Sequence, residues 1–431
     1  MDDDTLAGAS ADRNVAKAEG PSILVCAGLL FDGLGGPPLR NGWVLINGGV
    51  LRSVGAGPRP SSADAGDLSI IELGDHVSLL PGLIDPHIHL VCTGGPASIT
   101  EAAEQPETVL EPRAVENARV CLASGVTTVR DAGGKGLVTL RVRDYFRREV
   151  GGLRILASGM PVTTHGGHLH FFGLEADGTA AVTAAVDGLA EAGADCIKVM
   201  ASPGIQTPGN DPYSSQYSAE TLRALVKAAH GHQLRVLAHA HSIGAIEDCV
   251  SAGIDTIEHF SWLGDDPGFP RLRKLASAIA AHGIVVDPTT VGLDATSGPE
   301  GGLSEAARRI VHDIIDRRRD CLRILTDHGV EVIAGTDAGS SGVRFHDFER
   351  GLEVLRRLLG WTGADAIRAA TSASASAIGA GDTIGRIAVG MRADVVAVDG
   401  DPGADLRALS RVVMVVKDGI VVHDRRGSVG A

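Results

Sequence analysis

Short apolar runs alternate with helical stretches along the middle of the chain. The apolar runs predict eight buried β-strands, centred near Leu83, Thr127, Ile155, Ile197, Val236, Ile257, Val285 and Val332. The stretches between them are rich in Ala and Leu and predict helices over 112–123, 181–192, 219–230, 243–252, 304–328 and 346–359. Because strands that alternate with helices form parallel sheets, eight such units predict an α/β fold with a closed (β/α)8 TIM barrel over 79–384.

A different pattern flanks this segment on both sides, where short β runs are separated by Gly and Pro. Such runs occupy 20–78 and return over 385–425. Short strands at turn-separated spacing are typical of a small sandwich. We therefore predict one small β-sandwich domain built from both chain ends, preceded by a disordered tail over residues 1–19.

Composition and charge narrow the functional classes. The chain of 431 residues has a net charge of −14 and no basic cluster, which argues against a nucleic-acid or anionic-membrane partner. No apolar run is long enough for a transmembrane helix, and the first nineteen residues lack the apolar core of a signal peptide. Six cysteines stand far apart, as expected for reduced thiols in a cytoplasmic protein. We also expect a homo-oligomer.

The segment Pro81–His89, which reads Pro-Gly-Leu-Ile-Asp-Pro-His-Ile-His, is the most informative part of the sequence. Residues two apart on a strand share a face, so His87 and His89 project together while Ile88 turns into the packing. Two convergent imidazoles near the carboxylate of Asp85 predict half of a divalent metal site. The alternative is a pair of exposed or core-capping histidines.

Lys198 lies between apolar neighbours on the fourth predicted strand. Burial of an ammonium is costly and lowers its pKa. The neutral amine can add carbon dioxide to become a carbamate, an anionic oxygen ligand able to bridge two cations. The alternative is a lysine that reaches the barrel rim or pairs with Asp195.

Further polar residues lie at the ends of later strands. His239 and His241 end the fifth strand, His259 ends the sixth and Asp337 ends the eighth. The C-terminal strand ends of a barrel meet on one face, where active sites form. We therefore expect these side chains to converge with His87 on a single metal centre.

This constellation resembles the amidohydrolase superfamily, in the branch that holds a binuclear metal centre. The resemblance spans about residues 22–425. Within this range, the sequence motifs are similar to those of the imidazolonepropionase-like and prolidase-like branch. The motifs that carry it are Pro81–His89, Ile197–Ser202, Ala238–His241, Ile257–His259, Ala334–Gly339 and Gly390–Pro402.

The resemblance implies a role for each of these residues. His87, His89 and Asp337 would hold the more buried ion, and His239 and His259 the second. Carboxylated Lys198 would bridge two divalent ions, expected to be zinc, with one ion if the lysine is not carboxylated. Asp337 would carry a proton from the attacking water to the leaving nitrogen.

Two loops are expected to contribute substrate contacts. His168 lies in a Gly-Gly-His motif whose histidine, in the resembling branch, contacts the substrate carbonyl region, and His241 is expected to be a second-layer or substrate group. His165 and His170 are either pocket rim or surface. The loop over 205–217 carries Tyr213 and Tyr217, which are candidate substrate-binding residues if it covers the pocket and ordinary loop residues if it does not.

The loop after strand four departs from the pattern of the branch. It reads Ala-Ser-Pro-Gly over 201–204, where a second glycine is expected, and proline fixes φ and removes one N–H donor. Arg130 and Arg344 lie near strand ends and are candidates for binding a substrate carboxylate. None of these positions selects a substrate.

The function implied is metal-dependent hydrolysis of a C–N bond in a dipeptide, a modified peptide or another small amide. One alternative is a tailoring peptidase that removes a follower peptide in natural-product biosynthesis of the bottromycin type. Another is a mononuclear hydrolase or deaminase of a cyclic amidine, which is favoured if Lys198 is not carboxylated. A catalytically silent scaffold is the remaining alternative, although all six ligand positions are filled.

Overall fold

The structure is a computed structural model that describes residues 22–59, 68–204, 207, 209–291 and 305–426. The predicted tail over 1–19 and residues 205, 206 and 208 of the predicted covering loop lie outside the described residues. Within them the protein is a mixed α/β protein whose β-strands come from the middle and from both ends of the chain.

The secondary structure of the described residues is as follows, in chain order. The strands β1 to β17 are Ser22–Leu30, Leu39–Asn47, Val50–Ala56, Leu68–Glu72, Val77–Pro81, Leu83–Ile88, Val126–Asp131, Arg154–Ala157, Val162–Thr163, Leu174–Glu175, Cys196–Met200, Arg235–Ser242, Thr256–Leu263, Val285–Asp287, Val395–Asp399, Val412–Lys417 and Ile420–Asp424. The helices α1 to α11 are Ser98–Glu104, Glu107–Ala123, Val138–Arg148, Gly178–Glu191, Ala219–Gly231, Ile243–Ala252, Pro270–Ala281, Glu305–Asp327, Phe348–Leu359, Gly363–Arg368 and Ser374–Ala377. A π-helical turn, Ala369–Ala373, joins the last two.

All six predicted helices are present, and of the five described helices that were not predicted, α3 and α7 are the longest. Both of these helices are amphipathic. None of the helices in the described part of the chain is long and apolar enough to cross a membrane. All six cysteines are buried and free.

Strands from both chain ends form one β-sheet, as predicted. Its order is β17-β16-β15-β5-β1-β2-β3, and β4 pairs with β1. The described strands of the two chain ends are hydrogen-bonded into one eight-stranded sheet, and its packing as a sandwich stays a prediction. Val25, Ala27, Val395 and Ala397 lie in a single hydrophobic cluster. Side chains from β1 and β15 therefore share one hydrophobic core.

Gly82 separates this sheet from the parallel strands. The segment that we predicted as one strand ending at His89 is divided here into β5 and β6, which belong to different sheets. The Gly82 N–H donates to the Asp394 carbonyl at 2.8 Å, and the Leu83 N–H donates to the Gly125 carbonyl at 3.0 Å. A Cβ atom at position 82 would lie 2.1 Å from Thr127 Oγ1. Glycine is therefore required where the chain leaves the terminal sheet.

Replacing Gly82 with alanine is expected to lower the free energy of unfolding by about 1–3 kcal/mol, because the added methyl group overlaps the rigid Thr127 side chain. Urea denaturation measures the change. Gly36→Ala is the matched control, since a Cβ atom there meets nothing within 4 Å. Equal stability of the two variants would contradict this account of the junction.

The middle of the chain forms parallel sheets. Strands β6-β7-β8 form a three-stranded sheet, and β10-β9-β11-β12-β13-β14 form a six-stranded one. Backbone contacts continue between them: the Asp195 N–H donates to the Ala157 carbonyl at 2.9 Å. Val332 forms an isolated parallel bridge with Val286, and Ala338 forms one with Ile88.

The predicted eighth strand near Val332 is thus present only as isolated bridges. The reason lies in its hydrogen bonds: the Gly335 N–H donates to Asp287 Oδ1 at 3.0 Å and the Thr336 N–H donates to Asp85 Oδ1 at 3.1 Å. Buried carboxylates satisfy backbone donors that a regular ladder would pair with a neighbouring strand. These side-chain bonds hold the backbone just before Asp337.

Candidate metal centre

His87, His89 and Asp337 meet where the parallel strands end. Asp337 Oδ1 lies 3.5 Å from His87 Nε2 and 3.2 Å from His89 Nε2. One donor atom from each residue lies within 4.8 Å of the others. Two imidazoles and a carboxylate at this separation can bind one divalent cation.

The second nitrogen of each of these histidines lies close to an acceptor, although His87 Nδ1 and Glu258 Oε1 do not form a hydrogen bond with each other. His89 Nδ1 lies 2.8 Å from the Gly133 carbonyl, which can only accept, so Nδ1 carries a hydrogen and Nε2 is the nitrogen that faces Asp337. His87 Nδ1 lies 3.2 Å from Glu258 Oε1. Carbonyl and carboxylate partners of this kind are typical of metal-binding histidines.

Four more imidazoles continue the cluster. The ring of His239 lies 4.4 Å from that of His259 and 4.5 Å from those of His241 and His168, and His259 lies 5.2 Å from His87. Burial lowers the pKa of His168, His239 and His259 well below the usual range and that of His241 to about 3. The imidazoles are therefore neutral at physiological pH, as metal ligation requires.

Unpartnered atoms show that a cation fits this cluster. His87 Nε2 and His239 Nε2 are fully buried and have no hydrogen-bond partner among the described residues. A buried polar nitrogen without a partner costs about 1–3 kcal/mol. Lone pairs that face a common space from neutral histidines are the donor set that zinc and similar ions prefer.

A group of buried charges lies beneath the histidines. Lys198 and Glu258 are almost fully buried and form an ion pair, and Arg130 Nη2 lies 3.7 Å from Glu258 Oε1. Burial lowers the pKa of Lys198 to about 7 and raises that of Asp287 to about 6. Asp287 Oδ2 lies 4.0 Å from His87 Nδ1.

Glu258 and Asp287 are site residues that were not predicted from the sequence. A signal existed for Glu258, because a carboxylate between Ile257 and His259 in a buried strand needs a partner. The alternative that Lys198 pairs with Asp195 is wrong. Asp195 instead accepts from Arg143 at 2.8 Å, outside the metal cluster.

Two further expectations change in the structure, those for Asp85 and Arg130. Asp85 lies close to the site, but its oxygens accept from Thr336 Oγ1 at 2.5 Å and from the His87 N–H at 3.2 Å, so it fixes the backbone of the triad instead of joining it. Arg130 is buried and donates to the Pro86 carbonyl at 2.7 Å, which excludes it as a clamp for a substrate carboxylate. Arg344, the other candidate, is exposed.

The backbone around the site is strained. Six of the ten described non-glycine residues with positive φ lie here: Leu169, His259, Phe260, Trp262, Thr289 and Asp337. Each costs about 1–3 kcal/mol, and such residues concentrate at functional sites. Asp337, at φ 63°, owes the direction of its carboxylate to this conformation.

His168 is held over the cluster by the loop after β11. Its N–H donates to Gln216 Oε1 at 2.7 Å, and its Nδ1 lies 2.8 Å from Thr207 Oγ1. A Cβ atom at Gly204 would lie 2.3 Å from the imidazole. The Pro-Gly sequence of this loop thus ends in the glycine that lets the backbone pass directly against His168.

The remaining candidate residues lie farther out. Tyr217 is buried and its hydroxyl donates to the Ala176 carbonyl at 2.9 Å, whereas Tyr213 is 45% exposed. Their part in substrate binding stays a prediction. His165 and His170 are exposed and approach Glu175, at 3.2 and 4.0 Å, outside the imidazole cluster.

Comparison with known proteins identifies the class. The pattern of the amidohydrolase family matches residues 78–422, and the chain belongs to this family. It is 26% identical to an ochratoxinase of Aspergillus niger, over 90% of this chain and 83% of that protein. It is 27% identical to an imidazolonepropionase of Deinococcus radiodurans, over 83% and 85%.

A solved structure supports the same assignment. The crystal structure of a Xaa-Pro dipeptidase with bound methionine in the active site matches with a TM-score of 0.81 at 26% identity, over 93% of this chain and 100% of that one. The resemblance to imidazolonepropionases and prolidases is therefore confirmed. The protein is a metal-dependent hydrolase of the amidohydrolase family with a candidate His-His-Asp metal site.

Proposed function

We propose that the enzyme hydrolyses the C–N bond of an amide or peptide at a binuclear centre. The observation that carries this proposal is the His87–His89–Asp337 triad, continuous with further buried neutral imidazoles. His87, His89 and Asp337 would hold one ion, and His239 and His259 the other, with carboxylated Lys198 between them. Bound divalent ions, which we expect to be zinc, supply a Lewis acid and lower the pKa of a bound water.

The protein's own side chains would handle the proton and the substrate. Asp337, at 15% exposed, is the most accessible member of the triad. It takes the proton of the attacking water, whose oxygen joins the acyl carbon, and delivers that proton to the leaving nitrogen as the C–N bond breaks.

His168 would orient the acyl oxygen. The Thr207 hydroxyl accepts from the Leu169 N–H at 3.2 Å, and its own hydrogen is then free to donate to His168 Nδ1. That arrangement leaves a hydrogen on His168 Nε2, which can donate to the substrate carbonyl.

The fold that supports this site is, in our proposal, a closed (β/α)8 barrel. The contacts through Asp195 and Ala157, Val332 and Val286, and Ala338 and Ile88 join the two parallel sheets end to end. In such a barrel all proposed ligands lie at the C-terminal strand ends. Dipeptides, modified peptides and small amides are the substrates to screen, and removal of a follower peptide is the alternative tailoring activity.

Metal content tests the proposal. Wild type is expected to bind about two equivalents per chain and Lys198→Ala one or none, because the bridging ligand is lost. Lys417→Met is the matched control, since Lys417 is also fully buried but pairs with Asp394 and Asp418 in the terminal sheet. One equivalent in both wild type and Lys198→Ala would replace the bridged centre with mononuclear chemistry. No metal in either would favour a scaffold.

Carboxylation of Lys198 is expected to depend on pH. Only the neutral amine adds carbon dioxide, and burial lowers the pKa of Lys198 to about 7. The neutral fraction therefore rises from about one tenth at pH 6 to about nine tenths at pH 8. Incorporation of ¹³C-labelled carbon dioxide into metal-free enzyme, followed by NMR at fixed dissolved gas, should show this rise. Incorporation that stays constant up to pH 10 would contradict this expectation.

A further inference from the structure

His239 and His241 end the same strand, and distance does not distinguish a ligand from a substrate group. Their rings lie 4.5 Å apart, and His241 also stacks on His259 at 5.0 Å. A histidine can bind a metal through Nε2 only if that nitrogen has a free lone pair. The position of the hydrogen on each ring therefore decides its role.

The partners of His241 fix that hydrogen. His241 Nδ1 lies 2.7 Å from Ser261 Oγ, and Arg318 Nη2, from helix α8, approaches the same oxygen at 3.4 Å. Arg318 is buried and carries a positive charge. A cation beside a hydroxyl attracts the oxygen lone pair and turns the O–H away from itself. The Ser261 hydrogen therefore points at His241 Nδ1, which accepts it.

Arg318 is itself held in place. Its Nη2 donates to the His259 carbonyl at 2.9 Å, and its Nη1 donates to the Pro288 carbonyl. These contacts join α8 to His259 within β13 and to Pro288, the residue that follows β14. The cation beside Ser261 is thus a fixed part of the site.

His89 shows the opposite arrangement, and His259 Nδ1 lies 2.7 Å from the Thr289 hydroxyl oxygen, which can accept as well as donate. His89 Nδ1 faces a carbonyl, which leaves its Nε2 lone pair for a cation, and His239 Nε2 is buried without a partner among the described residues. His241 Nδ1 faces a hydroxyl whose oxygen is already engaged by a cation. His241 therefore differs from His89 in the partner on the far nitrogen.

We propose that Ser261 and Arg318 hold His241 as the Nε2–H tautomer, so that His241 is a hydrogen-bond donor to the acyl part of the substrate and not a metal ligand. This role rests on the proposed amide hydrolysis, whereas the tautomer does not. His168 and His241 would then supply N–H donors on either side of His239. Ser261 and Arg318 are positioning residues that act through His241.

The tautomer can be measured directly. Zinc-loaded enzyme labelled with ¹⁵N-histidine is examined by two-dimensional NMR, and the His241 signals are assigned by their loss in His241→Gln. We expect a protonated Nε2 in wild type and in Ser261→Thr, which keeps the hydroxyl, and a mixture of tautomers in Ser261→Ala. An unprotonated Nε2 in wild type, or the same tautomer in Ser261→Ala, would overturn the proposal.

Metal content and kinetics supply the second readout. His241→Gln, which keeps a donor, and His241→Leu, which does not, should both retain the zinc content of wild type, while His239→Gln loses about one equivalent. His241→Leu should lower kcat by about 10²-fold and His241→Gln by less. Zinc loss in both His241 variants would make His241 a ligand and overturn the proposal. An enzyme inactive on every amide would refute the proposed function and leave the tautomer result standing.

Discussion

Asp337→Asn is expected to lower kcat by about 10³-fold or more, since it removes both a charged metal ligand and the group that moves the proton. Asparagine is the appropriate replacement because Asp337 has φ 63°, a conformation that Asn adopts more readily than Ala. The backbone bonds before it, from Thr336 to Asp85, should persist. The variant should therefore remain folded and lose turnover.

Steady-state kinetics on the best amide of the screen measure this loss, and metal analysis separates its two causes. Asp347→Asn is the matched control, because Asp347 accepts from the backbone N–H of Arg344, away from the triad. If Asp337→Asn kept more than about a tenth of the wild-type kcat, Asp337 could not be the general base, given what such groups contribute.

Glu258→Leu is expected to destabilise the metal-free protein by about 3–5 kcal/mol, the range for removal of one partner from a buried ion pair. The substitution leaves Lys198 and Arg130 without their shared carboxylate in a site closed to water. It also removes the carboxylate beside His87 Nδ1, so metal affinity should fall by about 10–100-fold.

Urea denaturation in the presence of a chelator measures the stability effect. Glu247→Leu is the control, because its pair with Arg271 lies on the surface, where such pairs contribute about 0–1 kcal/mol. Adding Lys198→Met to Glu258→Leu should restore part of the loss, since the unpaired ammonium is removed with its partner. A double variant as unstable as the sum of the single ones would show that Glu258 and Lys198 do not interact in the folded protein.

Much of the site could be predicted because its chemistry is local in the sequence. His87 and His89 occur two apart on a buried strand, and the period of two places them on one face whatever the rest of the fold does. His239 and His259 similarly follow apolar runs that form strands β12 and β13. The helices were predicted where Ala and Leu dominate.

The parts that sequence could not supply depend on contacts between distant segments. Glu258 was overlooked because its partners, Lys198 and Arg130, come from other strands, and Gly82 divides the terminal and parallel sheets because Thr127 closes against it.

The sequence alone determined seven of the eight predicted parallel strands, the side chains at their ends and the family of enzymes they resemble, because these follow from short-range periodicity and residue type. Only the tertiary structure decided which atoms face one another: His89 against a carbonyl, His241 against the Ser261 hydroxyl and Lys198 against Glu258. Hydrogen positions, pKa values and metal fit depend on those partners and on burial. The partners and the burial of these side chains are fixed only when strands far apart in sequence pack together.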